Sequence, residues 1–289
     1  MKLHLIDGTY ELFRNHFGAP PKKSASGQEV GATLGLLRSL LMLLQSPDVT
    51  HVAVAFDHVI ESFRNKLYAG YKTGEGVDSI LMAQFPLAEK AVSALGVVVW
   101  PMVKFEADDA LATATSKFKN NKSVEQILIC SPDKDLAQLV EGKRIVCWDR
   151  RREIIIDEKG VVEKFGVKPE SIPDYLALVG DSADGYPGIQ GWGAKSTSTV
   201  LAKFKHIELI HKDPKKLPLG LGRATTLVEN LQQNYKDALL FRELSTLRED
   251  VPLKETLKDL EWRGAYPRLK KLCQELREER IAERVMKWR

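Results

Sequence analysis

Apolar residues in the first half of the chain fall into short runs separated by stretches with helical spacing. The runs cover residues 2–6, 51–56, 97–100, 126–130 and 144–148. Between them, residues 29–45, 78–95, 106–118 and 134–140 repeat apolar positions at three and four residues, the period of a helix face. Strands alternating with helices predict a parallel sheet covered by helices. A short run at 153–156 is placed to pair with 144–148, with Arg150, Arg151 and Arg152 as an exposed turn between them. After about Asp157 the strand signals stop and helical ones dominate, broken at Pro169, Pro173, 185–188 and 212–222. No Gly/Ser-rich or Pro-rich linker separates the halves, and no repeat is visible. The expected division is a sheet domain at 1–166 and a helical region at 167–289.

Composition narrows this little. A hydrophobic fraction of 44% and a charged fraction of 28% are ordinary for a soluble globular protein. No apolar run reaches the roughly 18 residues of a membrane span, and Asp7 comes too early for a signal peptide. Cys130, Cys147 and Cys273 are far apart and read as reduced thiols, so the expected location is cytoplasmic. The net charge of +4 is uneven. Residues 1–200 carry 23 basic and 25 acidic side chains, and residues 201–289 carry 20 and 14. A basic rear suits a polyanion, although a solvated helix surface gives the same counts.

The acids change the picture more. Asp7 follows the run 2–6, Asp57 follows 51–56, and Asp133 and Asp135 follow 126–130. Glu106, Asp108 and Asp109 open a helix just beyond 97–100. In a parallel sheet the carboxyl ends of the strands share one edge, where ligands bind. One such aspartate is commonly a helix N-cap, and Asp109 and Asp133 fit that role. Four chain segments sending acids to one edge is another matter. Two carboxylates 4 Å apart repel by ~1 kcal/mol in water and ~4 kcal/mol at a protein surface. Cations are the natural remedy, and all-oxygen ligands favour magnesium or manganese over zinc. Asp181 and Asp184, three apart, add a pair from the second half. Such a set can hold two metals about 4 Å apart and hydrolyse a phosphodiester without a protein nucleophile.

Nucleic-acid contacts have two candidates. The glycine-rich stretch 187–195, with Gly188, Ile189, Gly191, Trp192, Gly193 and Lys195, precedes a helix. This is the helix–hairpin–helix pattern, whose backbone N–H groups face a phosphate. The stretch 63–72 mixes cations with aromatics, suiting a frayed DNA end. Phe63 and Leu67, four apart, read as its buried helix face. Arg64, Lys72 and Arg14 remain as phosphate contacts.

Taken together, the segments 5–8, 55–57, 62–64, 70–72, 106–109, 133–135 and 180–193 resemble the bacterial and phage 5′–3′ exonuclease, or flap endonuclease, family. That family includes the N-terminal nuclease domain of DNA polymerase I. The resemblance runs from about Lys2 to Leu253. It implies an α/β PIN-like (5′ nuclease) parallel-rich sheet flanked by helices, with a helical helix–hairpin–helix-type C-terminal half. It implies a metal site of Asp7, Asp57, Glu106, Asp108, Asp109, Asp133, Asp135, Asp181 and Asp184, none missing. It further implies that Arg64 and Lys72 act in catalysis, steering the scissile phosphate below a helical arch, and that the glycine hairpin grips duplex DNA with a bound potassium ion. Departures are Gly185 in place of the usual Asn, Trp192 in place of a smaller aliphatic residue, and Glu75 and Asp78 in the arch.

The expected protein is thus a stand-alone, monomeric nuclease using two magnesium ions on DNA with 5′ flaps, nicks or overhangs. A PIN-type ribonuclease would need only the first-half acids. A catalytically silent DNA-binding protein would need only the hairpin and the basic rear. The basic end 277–289 is open between a helix packed on the sheet and a DNA-facing extension.

Overall fold

The computed structural model describes residues 1–289. Its contacts divide the chain into two compact units. The first comprises residues 1–60, 74–131 and 249–289, and the second comprises 61–73 and 132–248. In this grouping 61–73 and 132–166 lie with 167–248, and 249–289 lie with the sheet.

The first unit is built on four parallel strands in the order β3-β2-β1-β4. They are β1 (Lys2–Asp7), β2 (Val49–Asp57), β3 (Val98–Met102) and β4 (Gln126–Cys130). Leu3, Leu5, Ile6, Val52, Val54, Phe56, Ile127 and Ile129 are buried, with both alternating positions apolar because the sheet is covered. The helix Ala107–Phe118 packs across β1, β2 and β3, and the helices Gly8–Gly18 and Gly31–Leu44 pack on each other. The helix Gly8–Gly18 is not among the expected elements, and its buried positions are Gly8, Glu11 and Leu12. Asp7 caps it, and Gly8 follows because a Cβ there would lie 2.6 Å from the Phe56 ring and 2.7 Å from the Ala55 carbonyl.

The helix expected at 78–95 is two helices. Asp78 caps the single turn Ser79–Met82, and Phe85–Ala94 starts afresh with Pro86 in its first turn. Between Lys72 and Phe85, where the implied arch falls, only the turn Ser79–Met82 is helical.

Residues 249–289 settle against the same unit. The Trp262 indole donates to the Leu95 carbonyl at 2.9 Å, and the Tyr266 N–H donates to the Ala94 carbonyl at 2.9 Å. Glu278 pairs with Lys22 and Arg38. The helix Arg268–Glu275 lies on Phe85–Ala94. The Trp262 N–H also donates to the Thr50 carbonyl of β2 at 2.8 Å, while the side chains of Arg277, Arg280, Arg284 and Lys287 stay exposed.

The second unit holds the antiparallel pair β5 (Ile145–Asp149) and β6 (Ile154–Ile156), with the arginines as the turn between them. The helix expected at 134–140 is a tighter 3-10 turn, Asp135–Leu139. The helices Glu158–Phe165, Ile172–Val179, Ala194–Phe204, Leu221–Gln233 and Tyr235–Ser245 complete it. No helix of the chain is long and apolar enough to cross a membrane.

Candidate metal centre

In the first unit, parallel pairing brings the strand-end acids to one edge. Asp7 pairs in register with Ala55, and Asp57 with Met102. Each is then held by local hydrogen bonds. Asp7 Oδ1 accepts from Tyr10 N–H at 2.8 Å, and its Oδ2 accepts from the Ser131 hydroxyl at 2.9 Å. Asp57 Oδ1 accepts from Ala107 N–H at 2.7 Å, tying the end of β2 to the next helix. Asp109 is fully buried and its Oδ2 accepts from Glu106 N–H at 2.9 Å, the helix-capping role that its position allowed. Glu106 is buried and Asp108 partly exposed at the same helix start.

The second unit arranges its acids differently. Carboxylate oxygens of Asp135, Asp181 and Asp184 lie within 4.8 Å of one another, and all three residues are buried. The loop between Ile172–Val179 and Ala194–Phe204 supplies two of them. Its hairpin is closed by Asp181 and Tyr186, whose backbones exchange hydrogen bonds at 2.8 and 3.0 Å. Gly180 and Gly188 face each other across it, both at positive φ, with a Cβ at Gly188 only 2.4 Å from the Gly180 nitrogen. Gly185, also at positive φ, would place a Cβ 2.2 Å from the Gly70 carbonyl oxygen, which explains the glycine.

Two lysines answer these acids. Lys134 Nζ lies 2.8 Å from Asp181 Oδ2, and Lys72 Nζ lies 3.0 Å from Asp184 Oδ1. Asp135 has no such partner, and its Oδ1 accepts no hydrogen bond. Burial first, then the charges of Asp133, Asp184 and Asp181, push its carboxyl well above the usual carboxylate range against the pull of Lys72. Burial opposes the charge on Lys134, yet its bond to Asp181, aided by Asp135 and Asp133, raises its pKa overall. Burial likewise raises the Tyr186 hydroxyl, helped by the field of Asp135, Asp181 and Asp184. An orphaned buried carboxylate oxygen beside two more carboxylates fits a hard divalent cation. Lys134 escaped the sequence reading, its only signal being its place between Asp133 and Asp135.

The expected nucleic-acid contacts divide. Lys72 stands beside the acids, and Lys195 is exposed in the first turn of Ala194–Phe204. Arg64 does not reach a surface. It is 1% exposed, with Nε donating to the Leu244 carbonyl at 2.7 Å and Nη2 to the Thr246 carbonyl at 3.1 Å. Direct phosphate steering by Arg64 is thus corrected to a buried anchor. The reading of Leu67 as buried is corrected too: the helix Arg64–Leu67 is one turn long, and Leu67 is 40% exposed. Ile189 and Trp192 are buried, with the Trp192 indole donating to the Leu227 carbonyl at 3.0 Å. Their side chains pack the hairpin, so only their backbone is left for DNA. Arg14 is taken up by the buried Glu11 and by Ser39, the cation a buried carboxylate requires.

Sheet, helical region and clustered acids define the class: a PIN-like sheet fold followed by a SAM-like helical fold, with carboxylates arranged for metal. Two family models match in succession, the 5′–3′ exonuclease N-terminal resolvase-like domain over residues 2–166 and the 5′–3′ exonuclease C-terminal SAM fold over residues 167–268. The chain is 35% identical to a 5′–3′ exonuclease of Aquifex aeolicus over 277 residues, covering 96% of this chain and 91% of the relative. It is 34% identical to DNA polymerase I of Pseudomonas aeruginosa over 269 residues, covering 92% of this chain but only 28% of the polymerase. Its fold is similar to that of the bacteriophage T5 flap endonuclease in a pseudo-enzyme–product complex with DNA and metal ions, with a TM-score of 0.67, 18% identity, and coverage of 96% and 100%. It is also similar to the catalytic core of Rad2 in complex with DNA substrate, with a TM-score of 0.62, 15% identity, and coverage of 99% and 92%. The chain belongs to the 5′–3′ exonuclease family.

Proposed function

We propose that this protein is a magnesium-dependent hydrolase that cuts DNA phosphodiesters near 5′ ends at flaps, nicks or overhangs. The observation that carries the reading is the buried trio Asp135, Asp181 and Asp184, with Asp135 Oδ1 left without a partner. Bound divalent cations, two magnesium ions replaceable by manganese, would supply an activated water and charge for the leaving oxygen. Asp7, Asp57, Glu106, Asp108, Asp109, Asp133, Asp135, Asp181 and Asp184 are the proposed residues that hold them. Lys72, paired with Asp184, is the proposed group that steers the scissile phosphate once DNA arrives. The backbone of 188–193, with Lys195, is the proposed grip on the duplex, with a potassium ion at the same loop. On this reading residues 1–166 form the catalytic domain, and 167–289 form the DNA-binding region, which adds Asp181 and Asp184 to the metal-holding set. Three buried thiols far apart in the sequence suit work in the cytoplasm, and a monomer is the proposed state.

End-labelled flapped, nicked and blunt DNA, incubated with and without magnesium, tests this. Short 5′ products that need the metal are expected, and they should vanish with Asp181→Asn while DNA binding persists. Full cleavage by an Asp133→Asn/Asp135→Asn double variant sinks the assignment. Faster cutting of single-stranded RNA than of flapped DNA would favour a ribonuclease instead.

A further inference from the structure

We propose that Asn65 is the positioning residue for Lys72, with the buried Arg64 as its anchor. The proposal rests on reading Lys72 as the phosphate-steering cation. Asn65 lies outside both the acid set and the expected DNA contacts. Its Oδ1 accepts from Ser62 N–H at 2.8 Å, and its Nδ2 donates to the carbonyls of Lys72 at 2.9 Å and Tyr71 at 3.4 Å. One amide side chain therefore joins the start of this segment to its end. The Lys72 N–H in turn donates to the Asp184 carbonyl at 2.9 Å. Both peptide groups flanking the Lys72 Cα are thus fixed, one by Asp184 and the other by Asn65. The Lys72 ammonium then lies 3.0 Å from Asp184 Oδ1.

The base of the segment is fixed as well. Arg64 binds the carbonyls of Leu244 and Thr246 at the end of the helix Tyr235–Ser245, and its guanidinium sits 4.6 Å from the Phe63 ring centre. The Tyr68 ring meets Phe241 of the same helix edge-on at 5.7 Å. Lysine has a long, flexible stem that loses rotamer entropy when fixed. Holding its backbone on both sides limits where the ammonium can go before substrate binds. Misplacing such a group by 1 Å costs on the order of 10²-fold in rate.

The test is a double-variant cycle on single-turnover cleavage of flapped DNA with magnesium. Asn65→Ala is expected to slow cleavage by about tenfold with the DNA dissociation constant little changed. In a Lys72→Ala background the same change should alter the rate by less than about twofold, since coupled residues are non-additive. A readout free of nuclease activity accompanies it. Lysines are reductively methylated with 13C, and the Lys72 signal is assigned by its loss in Lys72→Arg. In Asn65→Ala that signal should move to the position of exposed lysines. Asn65→Asp keeps the acceptor for Ser62 and loses the donor to Lys72. It should move the signal likewise with a near-native Tm, so misfolding of the alanine variant cannot hide the answer. Equal slowing in both backgrounds, or an unmoved Lys72 signal, overturns the proposal. A wild type that cuts nothing overturns the functional reading instead, and the lysine signal still decides the positioning.

Discussion

The acids of the two units are the same residue type in different states. In the first unit Asp7, Asp57 and Asp109 are committed to backbone N–H groups or a hydroxyl, so each also stitches a strand end or a helix start. In the second unit Asp135, Asp181 and Asp184 face one another, with two lysines as counter-charge and Asp135 left raised and short of a partner. The first arrangement is held by those hydrogen bonds. The second carries repulsion that a bound cation relieves, so a metal should register there first.

The largest test of this contrast is Asp181→Asn. It should lower cleavage by at least ~10²-fold, the size typical of losing one electrostatic stabiliser. Cleavage within tenfold of wild type would break the contrast. Next is Gly185→Ala, which places a Cβ against the Gly70 carbonyl at a positive φ. Urea unfolding should show a loss of about 3 kcal/mol, the upper end for backbone strain.

Asp109→Ala and Asp135→Asn should then move stability in opposite directions. Asp109→Ala removes a cap and should cost about 1 kcal/mol while reducing, but not abolishing, a magnesium-induced rise in Tm. Asp135→Asn should raise the metal-free Tm and abolish that rise. The sign follows from linkage. The folded Asp135 pKa lies above the unfolded one, so metal-free stability falls as pH rises between them, and asparagine removes that slope. The smallest effect belongs to Glu278, whose pKa is held down mainly by its bond to Lys22 and by Arg38. Its stabilisation is present above the usual glutamate range and lost as pH falls through the lower folded value. Glu278→Gln should lower Tm by about 2 °C at neutral pH and by nothing in strong acid.

Much of this was legible in the sequence because strands are local. The run 126–130 matches β4 residue for residue, and the other strands differ only near their ends. The acids were legible because they follow those strands. Arg64 was not. Its burial depends on carbonyls 180 and 182 residues away, which no local pattern signals. Leu67 misled for the opposite reason: four-residue spacing suggests a buried face, but a single helical turn need not present one.

The return of residues 249–289 to the first unit has a consequence for how the protein is made. Tyr266 bonds to Ala94 and Trp262 to Leu95, across some 170 residues of intervening chain. A ribosome delivers the strands early, but the surface around residues 94–96 waits bare until the second unit has emerged. Contacts so distant in sequence are slow to close. Completion of the first unit is therefore a late event in synthesis, and a chain stalled before Trp262 would expose an unfinished face to chaperones and proteases.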